Sequence, residues 1–214
     1  LGTRGVRLGI MVPEIYDMQV QAIFLAAIEV FKKYEIVVSP EIMIPLISAN
    51  KEVDLVRDRI EKVFLKLNNN SSVDLKYKLG VMVETPRAAL RAGDIARSCD
   101  FLSFGTNDLT QMTYGLSRDD SNRFMKEYVE KELFSSDPFK TIDVEGVGEL
   151  LKIAVQRARN TNSKIVTGLC GEHGGDPSSI SFCRSVGFEY ISCSPYRVPI
   201  ARLAAAQSRI RNTN

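Results

Sequence analysis

Phe101-Leu-Ser-Phe-Gly-Thr-Asn-Asp-Leu-Thr-Gln111 starts as a short apolar run and breaks at Gly105 into a cluster of polar side chains. Further on, Thr167-Gly-Leu-Cys-Gly-Glu-His-Gly-Gly-Asp176 repeats the design with a thiol and an imidazole. A buried strand that ends in reactive side chains is how α/β enzymes hold their chemistry. Working outward, Glu41-Ile-Met-Ile-Pro-Leu-Ile47, Leu79-Gly-Val-Met-Val83 and Tyr190-Ile-Ser-Cys193 read as further strands, and Phe101–Phe104 and Lys164–Leu169 as the two already met.

Between the strands the apolar spacing is helical. Residues 18–34 and 51–67 carry amphipathic patterns, and Pro86 opens a helix predicted to run to Arg97. Residues 121–134 and 144–160 read as helices on either side of Asp137-Pro138, and Pro177–Val186 and Pro199–Ile210 complete the set. This alternation predicts parallel pairing with helical crossovers, in an open doubly wound sheet or a β/α barrel. Glu84, the Gly105–Asp108 cluster and Cys170 all fall just past strand C-termini, the edge that barrels devote to catalysis, and this tips the choice.

The expected fold class is therefore α/β, a partial TIM-type (β/α)8 barrel with about five of the eight strand–helix units. A complete barrel takes about 250 residues. Residues 1–214, opening on Leu1 without a methionine, are expected to be the C-terminal portion of such a domain. Asn68-Asn-Asn-Ser-Ser-Val73 is the low-complexity patch, expected as an exposed loop between a helix and the next strand.

Composition narrows the function classes. With 44% hydrophobic and 25% charged residues the chain can bury a real core, which excludes global disorder. The net charge is only +2, and bases alternate with acids along Lys51–Lys66, so no cationic face for nucleic acid is expected. Apolar runs such as Ile42–Ile47 are too short to cross a bilayer, the N-terminus lacks a signal-peptide pattern, and no membrane partner is expected. Cys99, Cys170, Cys183 and Cys193 are irregularly spaced and there is one histidine, which suits neither a zinc site nor a disulfide framework. A reducing, cytoplasmic compartment is the expectation, or an organelle if a transit peptide precedes Leu1.

Glu84 and Asp108 end neighbouring strands, so their carboxylates are expected to point into one mouth, where a magnesium ion could also take oxygens from a phosphorylated substrate. The alternative is that Glu84 pairs with Arg87 and Asp108 caps a turn. The backbone N–H groups of Gly105, Thr106 and Asn107, in a turn leaving a strand, could form a nest for a carboxylate or phosphate oxygen, although Asn and Asp also favour turns for local reasons. Cys170, between glycines, could exchange a proton at carbon or could be inert packing. Cys99, Cys183 and Cys193 read as packing. His173 reads as structural, because the segment after it already explains itself as a cap: Asp176 at the N-cap of a helix with Pro177 at its first position.

Taken together, these residues and their order resemble the phosphoenolpyruvate-utilising enzymes, along the full length of the chain. Arg4-Gly-Val-Arg-Leu8, Pro40-Glu-Ile-Met-Ile-Pro45, Pro86-Arg-Ala-Ala-Leu90, Gly171–Ser179 and Ser192–Gln207 narrow the resemblance to the branch that uses ATP and inorganic phosphate, the alternatives being the phosphoenolpyruvate synthase or sugar-phosphotransferase enzyme I branches, or a non-catalytic assembly module. The resemblance implies a barrel that binds pyruvate or phosphoenolpyruvate, with Glu84 and Asp108 as Mg2+ ligands. It implies that Gly105, Thr106 and Asn107 hold substrate oxygens and that Arg4 helps neutralise the transferring phosphoryl group. Cys170 would move the proton at the methyl or methylene carbon, with Ser103 and Tyr190 in its hydrogen-bonding surroundings. Further phosphate-binding arginines, the first barrel strands, a phosphohistidine domain and ATP-binding regions would lie before Leu1. A homodimer of the full-length enzyme is implied too, and the isolated chain is not expected to complete the overall reaction.

Overall fold

Five parallel strands form one sheet in the order in which the chain makes them, β1-β2-β3-β4-β5. The structure is a computed structural model and describes residues 1–69, 71 and 73–211, so Asn70 and Ser72 of the expected loop lie outside the described residues. Along the chain the elements are α1 (Val6–Met11), α2 (Pro13–Tyr34), β1 (Glu41–Ile44), α3 (Asn50–Asn68), β2 (Lys78–Val83), α4 (Pro86–Leu90) and α5 (Ala92–Ile95). They continue as β3 (Phe101–Gly105), α6 (Thr106–Tyr114), α7 (Arg118–Glu130), α8 (Val147–Thr161), β4 (Val166–Cys170), α9 (Pro177–Val186), β5 (Tyr190–Ile191) and α10 (Val198–Arg211).

Strand order separates the two architectures that alternation alone left open. A doubly wound sheet reverses its order at a switch point. Here each strand is added beside the previous one without reversal, which makes the sheet an unclosed arc of a barrel wall. Its outward rows carry Val81 and Val83 of β2, Leu102 and Phe104 of β3, and Leu169 of β4, all buried in one core with Ala88, Ile95, Leu151 and Ala154 of the helices. Each fully buried aliphatic or aromatic side chain there is worth about 1.5–3 kcal/mol relative to an exposed one.

Period-two alternation turns the intervening residues to the other face. Met82, Ser103, Gly168 and Tyr190 are successive register partners across β2 to β5. One row nearer the C-terminal ends, Gly105 pairs with Cys170, and Glu84 follows Val83 out of β2. The inner face of the arc thus becomes polar and reactive toward one rim.

Some bounds shift by a few residues, β5 closing at Ile191 and not Cys193 and α7 spanning Arg118–Glu130 and not 121–134, and three further expectations need adjustment. The helix predicted from Pro86 to Arg97 is two short ones, α4 and α5, broken at Arg91 with φ −107° and ψ 15°. The first strand stops at Ile44, because Pro45 has no N–H to continue the ladder. Gly105–Asp108 is not a turn: Gly105 is the N-cap and Thr106 the first residue of α6.

Candidate active site

Glu84 leaves β2 and Asp108 lies in the first turn of α6, and the two carboxyl groups come close enough to share a hydrogen bond. Burial pushes the Glu84 carboxyl up to about 7; the Leu46 N–H and Arg4 oppose this and the Asp108 charge adds to it. The Leu46 N–H donates to Glu84 Oε1 at 2.6 Å. Leu46 itself is buried and sits at φ +60°, a conformation costly for a leucine that aims its amide at the carboxylate. Gly105 makes the approach possible: a Cβ there would stand 2.9 Å from both Glu84 Cβ and Oε2. Arg4 reaches Asp108 Oδ2 at 3.9 Å from the loop before α1. Arg87 turns instead to the Ser48 carbonyl, so the Glu84–Arg87 pairing considered from sequence is not what the fold builds.

Cys170 ends β4 with Sγ 3.5 Å from Met82 Sδ, on the inner face. Ser103 pairs in register with Gly168 and Gly168 with Tyr190, so the Ser103 hydroxyl stands in the polar surroundings of the thiol, and the Tyr190 ring lies across Gly168 of the neighbouring strand. Burial raises the thiol above the ordinary cysteine range and the nearby Glu84 raises it further, while Ser103 pulls it down. The thiol therefore rests protonated. Cys99 and Cys183 are buried in packing roles, and burial pushes each up to about 12.

Between carboxylates and thiol lies the N-terminus of α6. No side chain caps it, so the amides of its first turn lack intrahelical acceptors and carry the positive end of the helix dipole. The Thr106 side chain is fully buried and its hydroxyl faces the Cys170 carbonyl at 3.1 Å, so any substrate contact from Thr106 is through its N–H. Asn107 Oδ1 accepts from the Glu172 N–H at 3.1 Å, which leaves its amide nitrogen to donate. His173 is buried between Thr106 and the Pro138 carbonyl, in keeping with a structural reading.

The family model for the "PEP-utilising enzyme, PEP-binding domain" matches residues 1–210. The chain belongs to the phosphoenolpyruvate-utilising enzymes. This PEP-binding domain is 53% identical over 98% of its length to pyruvate, phosphate dikinase from Rhizobium meliloti, covering 23% of that protein. It is 50% identical over 99% of its length to pyruvate, phosphate dikinase from Clostridium symbiosum, covering 24% of it. Rice pyruvate, phosphate dikinase 2 is 53% identical over 97% of the domain and 23% of its own length. The chain thus spans about a quarter of the length of these curated relatives. A citrate lyase from Burkholderia xenovorans superposes on it with a TM-score of 0.54 at 18% identity, covering 77% of this chain and 48% of the lyase, a likeness of fold alone.

The residue types of the PEP-binding domain fit a hard divalent cation. Two carboxylates supply oxygen donors, and among the described residues no cluster of three or more His, Cys, Asp or Glu side chains would complete a protein-only cage. Substrate and water oxygens would fill the remaining positions. Three contributors were not visible in the sequence: the left-handed Leu46, the Met82 thioether against the thiol, and Arg197. Arg197 lines a cavity of about 250 Å³ that opens beside Cys170 and Ser192. A motif containing Arg197 stood out, but only the fold sets it on the cavity beside the thiol.

Proposed function

We propose that this chain is the part of a pyruvate, phosphate dikinase that binds pyruvate and phosphoenolpyruvate. The whole protein would interconvert ATP, pyruvate and phosphate with AMP, phosphoenolpyruvate and pyrophosphate. The observation that carries the reading is the gathering of Glu84, Asp108, the α6 amides and a protonated Cys170 at one rim of the arc. Identity of about half to proteins named for this activity supports the choice within the family.

Glu84 and Asp108 are the residues that would hold Mg2+, which when bound supplies positive charge opposite the oxygen that becomes negative. The α6 amides and Arg4 would take the substrate carboxylate and phosphoryl oxygens. As phosphoenolpyruvate is consumed, the P–O bond breaks and the phosphoryl group passes to a phosphohistidine domain of the same polypeptide. The electron pair left on the enolate then reforms the ketone as the methylene carbon takes the Cys170 proton. In the reverse direction the thiolate removes a methyl proton, and the enolate oxygen attacks the phosphoryl group. Ser103 and Tyr190 hold the sulfur in line. Pairing of two full-length copies and a cytoplasmic or organellar setting belong to the same proposal.

In the full-length protein with Mg2+ in deuterated water, the pyruvate methyl group should exchange its protons. Cys170→Ala should slow that exchange by on the order of a hundredfold or more while nucleotide partial reactions continue. Undiminished exchange in the variant would refute the role of the thiol.

A further inference from the structure

His173 is assigned no part in the chemistry above, yet it is the most enclosed titratable group beside it, with no exposed surface. Its Nε2 lies 2.9 Å from the Pro138 carbonyl and its Nδ1 lies 2.7 Å from Thr106 Oγ1. Burial holds the imidazole below its ordinary pKa, so it is neutral and carries one proton. A carbonyl can only accept, which places that proton on Nε2 and makes Nδ1 an acceptor. The Thr106 hydroxyl then has one proton and two acceptors, Nδ1 at 2.7 Å and the Cys170 carbonyl at 3.1 Å. The shorter contact takes it.

That choice has geometric weight, because Thr106 is the first residue of α6 and Cys170 the last of β4. The seam between them is tight: Gly171 sits at φ +111°, and a Cβ there would meet Thr106 Oγ1 at 2.9 Å and Asn107 Oδ1 at 3.0 Å. With Nδ1 removed, the Thr106 proton has only the Cys170 carbonyl to turn to, which draws the strand end toward the helix. We propose that His173 is a positioning residue: by accepting the Thr106 hydroxyl proton at Nδ1, it sets the spacing between the amides of α6 and the Cys170 thiol. The inference rests on the proposed role of the thiol.

Two variants divide the ring's two functions. His173→Asn keeps an acceptor where Nδ1 stands and loses the donor to Pro138, whereas His173→Gln keeps a donor near Nε2 and loses the acceptor. In the full-length protein, with oxalate and Mg2+ as the binding probe and pyruvate methyl exchange as the rate, His173→Gln should lose at least tenfold in exchange. Its oxalate affinity should stay within about threefold. His173→Asn should exchange at least several times faster than His173→Gln. Equal rates in the two variants, or a faster Gln than Asn, would overturn the proposal and leave His173 an anchor for the Pro138 segment. Should His173→Gln fail to fold, Thr106→Val removes the same hydrogen bond without changing volume and should lose exchange to a similar degree; unaltered exchange there also overturns it. A wild-type protein that does not exchange pyruvate protons would instead indict the proposed function and not the part played by His173.

Discussion

At Glu84 three local facts meet: a carboxylate at a strand end, a second carboxylate in hydrogen-bonding reach, and the N–H of a strained Leu46. A carboxyl raised to about 7 is favoured as the neutral acid in the fold. Its contribution to stability is therefore present below the ordinary carboxylate range and lost as pH rises through about 7. In the metal-free protein, the melting temperature should fall between about pH 5 and pH 8 from this source, and Glu84→Gln should flatten that fall. Protons and a divalent cation also compete for the same oxygens. Calorimetric Mg2+-oxalate affinity should weaken by up to about tenfold per pH unit below 7 and level off above it. An affinity that does not change with pH would show that Glu84 is not a ligand. At the neighbouring position, Gly105→Ala would drive a Cβ against the Glu84 carboxylate, and Mg2+-dependent oxalate binding should fall by about tenfold or more, a loss of about 1.4 kcal/mol or more.

The elements themselves follow from signals of different strength. Asp176 caps α9 by accepting from the Ser179 N–H at 2.8 Å and the Ser179 hydroxyl at 2.6 Å, with Pro177 at the first helical position. Asp176→Ala should cost about 0.5–2 kcal/mol, read as a lower midpoint in denaturant unfolding with unchanged slope. That cap was legible, because Asp-Pro before an amphipathic run has one local meaning. So was the alternation of strand and helix, since Val81, Val83, Leu102 and Phe104 are apolar for the buried face they occupy. The start of α6 was not legible as a helix: Gly105-Thr-Asn-Asp favours turns locally, and the helix is held by burial of Thr106, Leu109 and Thr110, which are distant contacts. The break at Arg91 and the left-handed Leu46 escaped for the same reason, being set by packing between segments. Glu84 and Cys170 were singled out because strand ends can be located by composition, and Asp108 because it closes the polar cluster after β3, which the fold makes the first turn of α6 and not a strand end. Met82 and Arg197 were not singled out for the site, because only register brings Met82 to the thiol and only tertiary packing sets Arg197 on the cavity that opens beside it.

For the whole molecule, the sheet is an arc and not a closed wall. Among the described residues, Met43 at 40% and Val166 at 37% exposure lie on its inner rows, and β1 and β5 form its two edges. Open edges and uncovered apolar rows favour association. The 214-residue chain produced by itself should show concentration-dependent growth in light scattering; a persistent monomer would show that the arc is closed off in a way the strand order does not reveal. The same openness means that the rim bearing Glu84, Asp108 and Cys170 is reachable by a small anion from the inner side. Whether these groups converge on one ligand is decided by a crystal structure of the full-length protein with Mg2+ and oxalate. The cation should be held by Glu84 and Asp108, with oxalate against the α6 amides and the Cys170 sulfur facing its carbon. Oxalate bound away from that rim, or a sulfur turned from it, would show that carboxylates, amides and thiol do not serve one site.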